Sequence, residues 1–116
     1  MTDTLDDLRQ QLRRFAHDRD WEQFHAPKNL ASALVVESAE LLEHFQWMTE
    51  AQSRNLPAEK RMAVGAEVAD VLLYLIQLAD ALGIDPVAAA RDKLRLNAQK
   101  YPVERARGTS RKYDEL

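Results

Sequence analysis

VGAEVADVLLYLIQLADAL, residues 64–82, is the stretch from which the fold is read. It holds no proline and one glycine, and its spacing is helical. With Glu67 set at zero on a helical wheel, Val68, Val71, Leu72, Leu75, Leu78, Ala79 and Leu82 fill an arc from about 20° to about 140°. Ala69, Leu73 and Ile76 fill a second arc, from about 180° to about 240°. What remains is a polar stripe of Glu67, Asp70, Tyr74 and Gln77. A helix apolar around this much of its circumference is buried on more than one side. One side therefore faces its own bundle and the other is expected to meet a second copy of the chain, with the polar stripe lining a crevice.

A second stretch, VVESAELLEHF at residues 35–45, repeats the theme. Leu30, Leu34, Leu41, Phe45 and Met48 make one apolar face of the expected helix, with Glu37 and His44 at its edge and Glu40, Glu43 and Trp47 further round. Glu37 and Glu40 stand three residues apart, as do Glu67 and Asp70, so each pair stacks on one helix face. Acids at this spacing are common on solvated surfaces. Here two pairs sit on mostly apolar helices, where an unpaired charge is very costly to bury. Trp47 lies seven residues beyond Glu40, about 10 Å along a continuous helix, roughly the span from a nucleotide's phosphates to its base.

The rest of the chain supplies helices around these two. The first is expected over residues 5–19, on the stripe Leu5, Leu8, Leu12, Phe15 and Ala16, with Thr4 and Asp7 resembling a capping box. DRDWEQFHAPK reads as an aromatic-rich loop, after which Asn29 is placed as the N-cap of the second helix, running to about residue 48. TEAQSRNLP reads as a loop. Pro57 opens the third helix, which Gly83 stops. Asp85 and Pro86 read as N-cap and first residue of a fourth helix that ends near Lys100, ahead of Pro102. The expectation is an all-α, four-helix bundle protomer over residues 1–103, followed by a charged, extended or mobile tail at 104–116.

With 116 residues the chain is one small domain, for which oligomerisation is a fair expectation. Its net charge of −3 excludes a strongly basic nucleic-acid footprint. The absence of cysteine removes thiolate and disulfide chemistry and favours a cytoplasmic setting. The acidic N-terminal segment does not read as a secretory signal, and no apolar run is expected to reach the length of a membrane span.

The chemistry suggested by the four acids is that of Mg2+, which takes hard oxygen ligands and completes its shell with water and substrate phosphate oxygens. Glu37, Glu40, Glu67 and Asp70 suffice for one or two such ions, with Glu43 a candidate further ligand or general base. Lys93, Asn97, Lys100 and Tyr101 share one face of the last helix, and two ammonium groups with an amide between them suit a phosphate chain. Trp21, Phe24, His25 and Trp47 are able to enclose a base, each stacked ring being worth about 1–3 kcal/mol.

These residues resemble the MazG-like all-α nucleoside triphosphate pyrophosphohydrolases, and within them the dCTP pyrophosphatase branch. The resemblance rests on RDWEQFH-x-P-x-NL at 19–30, E-x-x-E-x-x-E-x-FQW at 37–47, E-x-x-DVL-x-YL at 67–75, K-x-x-x-N-x-x-x-YPV at 93–103 and RG-x-S-x-KY-x-EL at 107–116. Five segments in order make it specific. It implies Mg2+-dependent attack of water on the α-phosphorus, giving the monophosphate and pyrophosphate. Glu37, Glu40, Glu67 and Asp70 match the family's metal ligands, and Glu43 a further acid beside them. Trp21 and Trp47 match aromatic residues around the base, and Tyr74, Lys93, Asn97 and Tyr101 match pocket positions. A homotetramer built from two dimers is implied, with sites at subunit interfaces. Two positions depart: Leu12 stands where the vertebrate dCTP enzymes have a histidine near the base, and Met48 where they have a basic residue. Both departures bear on base preference, not on the metal ligands.

Three other readings are weighed against this one. The first is the same scaffold with a different base specificity. The second is a carboxylate-bridged di-iron bundle, which needs Glu-x-x-His pairs on helices. The one such spacing here, Glu22 to His25, falls in an expected loop. The third is a non-catalytic helical interaction module, which would have no use for acids in its apolar stripes.

Overall fold

Every regular element among residues 4–116, the residues described in the computed structural model, is helical. The helices are α1 (Thr4–Asp18), α2 (Pro27–Glu43), α3 (Glu50–Ser53), α4 (Ala58–Ala81), α5 (Pro86–Lys100) and α6 (Val103–Ala106), with single 3-10 turns at Glu22–Phe24 and Tyr113–Glu115. The all-α expectation holds. The four expected helices are α1, α2, α4 and α5, and the two additional ones are a single turn each. The chain forms two compact units, Met1–Gly83 and Ile84–Leu116.

In the first unit α4 is the central element, with α2 packed along it and α1 against it. Leu30 of α2, Ile76 and Ala79 of α4 and Ala16 of α1 are its buried core. α1 ends where Asp20 takes a left-handed conformation, φ 54°, which a short polar side chain tolerates better than most. The N-cap of α1 lies outside the described residues, so the proposed capping box has no counterpart to compare; Thr4 is already helical.

Three boundaries differ from expectation for local reasons. α2 starts at Pro27, with Ala26 as N-cap, because proline's fixed φ suits a first helical turn. Asn29 does not cap that helix; its Nδ2 donates to the Phe24 carbonyl at 3.1 Å, tying the 3-10 turn to α2. α2 stops at Glu43, not near residue 48. Phe45 donates to the Leu42 carbonyl three residues back, and Thr49 is already extended as the N-cap of α3. Thr49 and Gln52 form a reciprocal capping box there, with bonds of 3.1 and 2.9 Å, inside the segment expected to be a loop. Trp47 consequently lies beyond the helix that carries Glu40.

α4 stops where expected, at Gly83 with φ 66°. It also corrects one expectation. At 24 residues it is long and apolar enough, by length and composition, to cross a membrane. Within this unit α4 packs against α1 and α2 with Ile76 and Ala79 buried, while Val68, Leu72, Leu75 and Leu82 remain exposed. Those four lie on the first apolar arc of the wheel.

The second unit opens with Asp85 capping α5 through bonds from the Val87 and Ala88 amides, as the sequence indicates. The segment expected to be extended or mobile carries α6 and the terminal 3-10 turn. Tyr113 of that turn meets Tyr101 edge-to-face at 6.1 Å, and its ring lies 4.8 Å from the Lys100 ammonium.

Candidate metal centre and its surroundings

α2 and α4 bring three of the four predicted acids together. Glu37, Glu67 and Asp70 each present a carboxylate oxygen within 4.8 Å of the others. Glu40, one turn along α2, is not one of the three, but its carboxyl beside Glu37 raises the proton affinity of Glu37. The helices determine this meeting. The i, i+3 pair on each directs two acids to one face, and packing of α2 on α4 sets the two faces against each other.

Glu37 and Glu67 are half-buried, and the Oε2 atom of each is closed to solvent and has no hydrogen-bond partner. Orphaned buried oxygens are uncommon in folded proteins and call for an explanation. The pull on protons is consistent with this. Glu37 is pushed up to about 7 by the shared proton with Glu40, by burial, and by the negative charges of Glu40, Asp70 and Glu67. Acids crowded in this way need either a retained proton or a cation. An all-oxygen set that includes two buried, unpartnered oxygens is a donor set that fits Mg2+.

The other predicted residues are distributed as follows. Tyr74 is half-buried one turn beyond Asp70 on α4. Glu43, in the last turn of α2, is exposed and outside the carboxylate group. Trp21 packs edge-on against Phe15 at 5.7 Å, and Trp47 is 89% exposed. The expected aromatic sandwich is therefore not assembled within this single chain; of its members, His25 lines a groove. Lys93, Asn97, Lys100 and Tyr101 belong to the second unit, where Asn97 is half-buried and the others are exposed.

That groove, of about 580 Å3, runs beside α1 and α4 and includes none of the four acids. It was not foreseen, nor was the ion pair on its rim between Arg13 and Asp80. Their separation of 67 residues leaves no local signal. Gln77, also in the groove, was placed on the polar stripe by its periodicity.

A profile of the MazG-like family matches residues 33–116. This chain belongs to that family. The human protein dCTP pyrophosphatase 1 is 44% identical over 97% of this chain and 68% of its own length. The mouse protein of the same name is 45% identical over the same shares. Among solved structures, a pyrophosphatase from Archaeoglobus fulgidus superposes with a TM-score of 0.82 at 38% identity, covering 88% of this chain and 95% of that one. The MazG-like resemblance drawn from the five motifs is thus borne out, and the acid cluster sits on a MazG-like scaffold.

Proposed function

We propose that this MazG-like chain is a nucleoside triphosphate pyrophosphohydrolase that converts dCTP, or a modified dCTP, to the monophosphate and pyrophosphate. The names of its curated relatives supply the substrate class. The observation that carries the reading to this chain is the convergence of Glu37, Glu67 and Asp70 between α2 and α4, with Glu37 Oε2 and Glu67 Oε2 closed to solvent and unpartnered. A helical interaction module has no need of them.

Glu37, Glu40, Glu67 and Asp70 would hold Mg2+, which supplies charge neutralisation to a polyphosphate and polarises the phosphorus under attack. Bound there, the ion would place the triphosphate beside these acids. Glu43, open to solvent at the end of α2, is the acid with freedom to take a proton from the attacking water. The new bond joins water oxygen to the α-phosphorus, and the bond that breaks joins that phosphorus to the oxygen bridging to the β-phosphorus. Tyr74 borders the cradle, and on the second unit Lys93, Asn97, Lys100 and Tyr101 are the groups chemically suited to a phosphate chain and pocket wall.

Assembly completes the site. The exposed apolar row Val68, Leu72, Leu75 and Leu82 is a surface for a second copy, and the solvent-exposed Trp21 and Trp47 are available to close a base pocket in an oligomer, a dimer of dimers. A cytoplasmic role in clearing the nucleotide pool agrees with the cysteine-free composition. The test is to incubate the protein with Mg2+ and a panel of canonical and 5-modified triphosphates and to assay both phosphate products. Pyrophosphate is expected from dCTP and its analogues. Orthophosphate in its place would refute attack at the α-phosphorus.

A further inference from the structure

The groove beside α1 and α4 has an apolar floor of Ala16, Leu30 and Ile76, all buried. Two pairs on its charged rim are closed on themselves. Arg13 is held by Asp80, and His17 Nδ1 lies 2.8 Å from Glu22 Oε1. Gln77 is different. Its Nε2 donates to the Leu73 carbonyl oxygen at 3.2 Å. A carbonyl oxygen can only accept, so this bond fixes the orientation of the amide. Nε2 turns to the backbone and Oε1 is left as an acceptor to which no described residue donates.

Gln77 stands two helical turns beyond Asp70 on the same stripe of α4, about 10 Å at 1.5 Å per residue. A nucleotide whose phosphates meet the acids reaches that far with its base.

On the reading that the chain is a triphosphate pyrophosphohydrolase, we propose that Gln77 determines base specificity. Its Oε1 accepts a hydrogen bond from the exocyclic amine of a base lodged in the groove. Cytosine carries a 4-amino donor at this edge, whereas uracil and thymine carry a 4-oxo acceptor. Two acceptors facing each other would leave a desolvated Oε1 unpaired, a strong basis for rejection. A freely rotating amide would accommodate either base by turning over, so the Leu73 carbonyl is what gives the residue its selectivity.

The experiment compares kcat/KM for dCTP and dUTP in the wild type, Gln77→Met and Gln77→Glu, with thermal unfolding as the control for folding. Methionine keeps length and loses the acceptor; glutamate keeps an acceptor. Gln77→Met should lower the dCTP-to-dUTP ratio by about tenfold or more, mainly through the KM for dCTP. Gln77→Glu should retain a preference for dCTP. An unchanged ratio in Gln77→Met, equal losses on both substrates, or a wild type indifferent between them would each overturn the assignment. A wild type that releases no pyrophosphate from any triphosphate would refute the enzymatic reading itself, a different result from an active but unselective enzyme.

Discussion

Arg13 on α1 grips Asp80 on α4 with two hydrogen bonds, Nε to Oδ2 at 2.8 Å and Nη2 to Oδ1 at 2.5 Å. Because these residues are 67 positions apart, the fork closes the first unit between its first helix and the end of its longest. The guanidinium holds the Asp80 carboxyl below the usual carboxylate range. A lowered folded pKa means that the pair's contribution is present above the ordinary aspartate range and is lost as pH falls through the folded value. Arg13 is largely exposed, so the effect is small. Arg13→Met and Asp80→Asn, alone and combined, should show coupling in urea unfolding at pH 7 that fades on acidification. Strict additivity at pH 7 would show that the fork adds nothing to stability.

The raised Glu37 makes the opposite prediction for the metal-free protein. Its folded pKa of about 7 exceeds the ordinary glutamate value of 4.5. Protonation therefore favours the fold, fully below about 4.5 and progressively less as pH rises through about 7. In excess chelator the melting temperature should be higher at pH 6 than at pH 8. Added Mg2+ should remove this difference, and binding at pH 6 should release protons, seen as a buffer-dependent heat in titration calorimetry. A metal-free melting temperature independent of pH between 6 and 8 would contradict the crowding of these acids.

Glu40→Gln keeps size while removing one charge from the cluster. Turnover should fall on the order of 100-fold or more, the scale seen when a group stabilising transition-state charge is lost. The chelated protein should stay folded and melt no lower at pH 8, since a repulsive neighbour of Glu37 has gone. Full pyrophosphate release by the variant would remove Glu40 from the cradle.

Leu72 and Leu75 lie on the exposed apolar face of α4. The wild type should elute from gel filtration well above the 13.3 kDa of one chain. Leu72→Glu should shift it toward the monomer with its helical circular dichroism retained. A wild type that is monomeric at micromolar concentration would leave that face without an occupant.

Much of this was legible in the sequence because it is periodic or local. The 3.6-residue repeat located α4, Asp85 and Pro86 marked the start of α5, and paired acids at i, i+3 gave the cluster of Glu37, Glu67 and Asp70. The length of α2 was overestimated because its apolar period runs past Glu43, while the Thr49–Gln52 box, also a local signal, competes for the same backbone. Pro27 outweighed Asn29 because a fixed φ sets a first turn more firmly than a side-chain cap. The apolar face of α4 was read correctly as extensive, yet its suitability by composition for a membrane was missed. The groove, and the Arg13–Asp80 fork on its rim, depend on α1 meeting α4, and no spacing along the chain encodes a contact between residues so distant.

The Tyr113 ring against Lys100 has a practical consequence. A lysine side chain has several freely turning bonds, and settling its ammonium against an aromatic face removes part of that freedom in advance. Trimming the protein before Tyr113, or crowding that turn with a bulky fusion, would return the ammonium to solvent without touching the helix that bears it. On the proposed role of Lys100 beside a phosphate chain, the damage would then appear as a looser hold on anions by a protein whose circular dichroism looks intact.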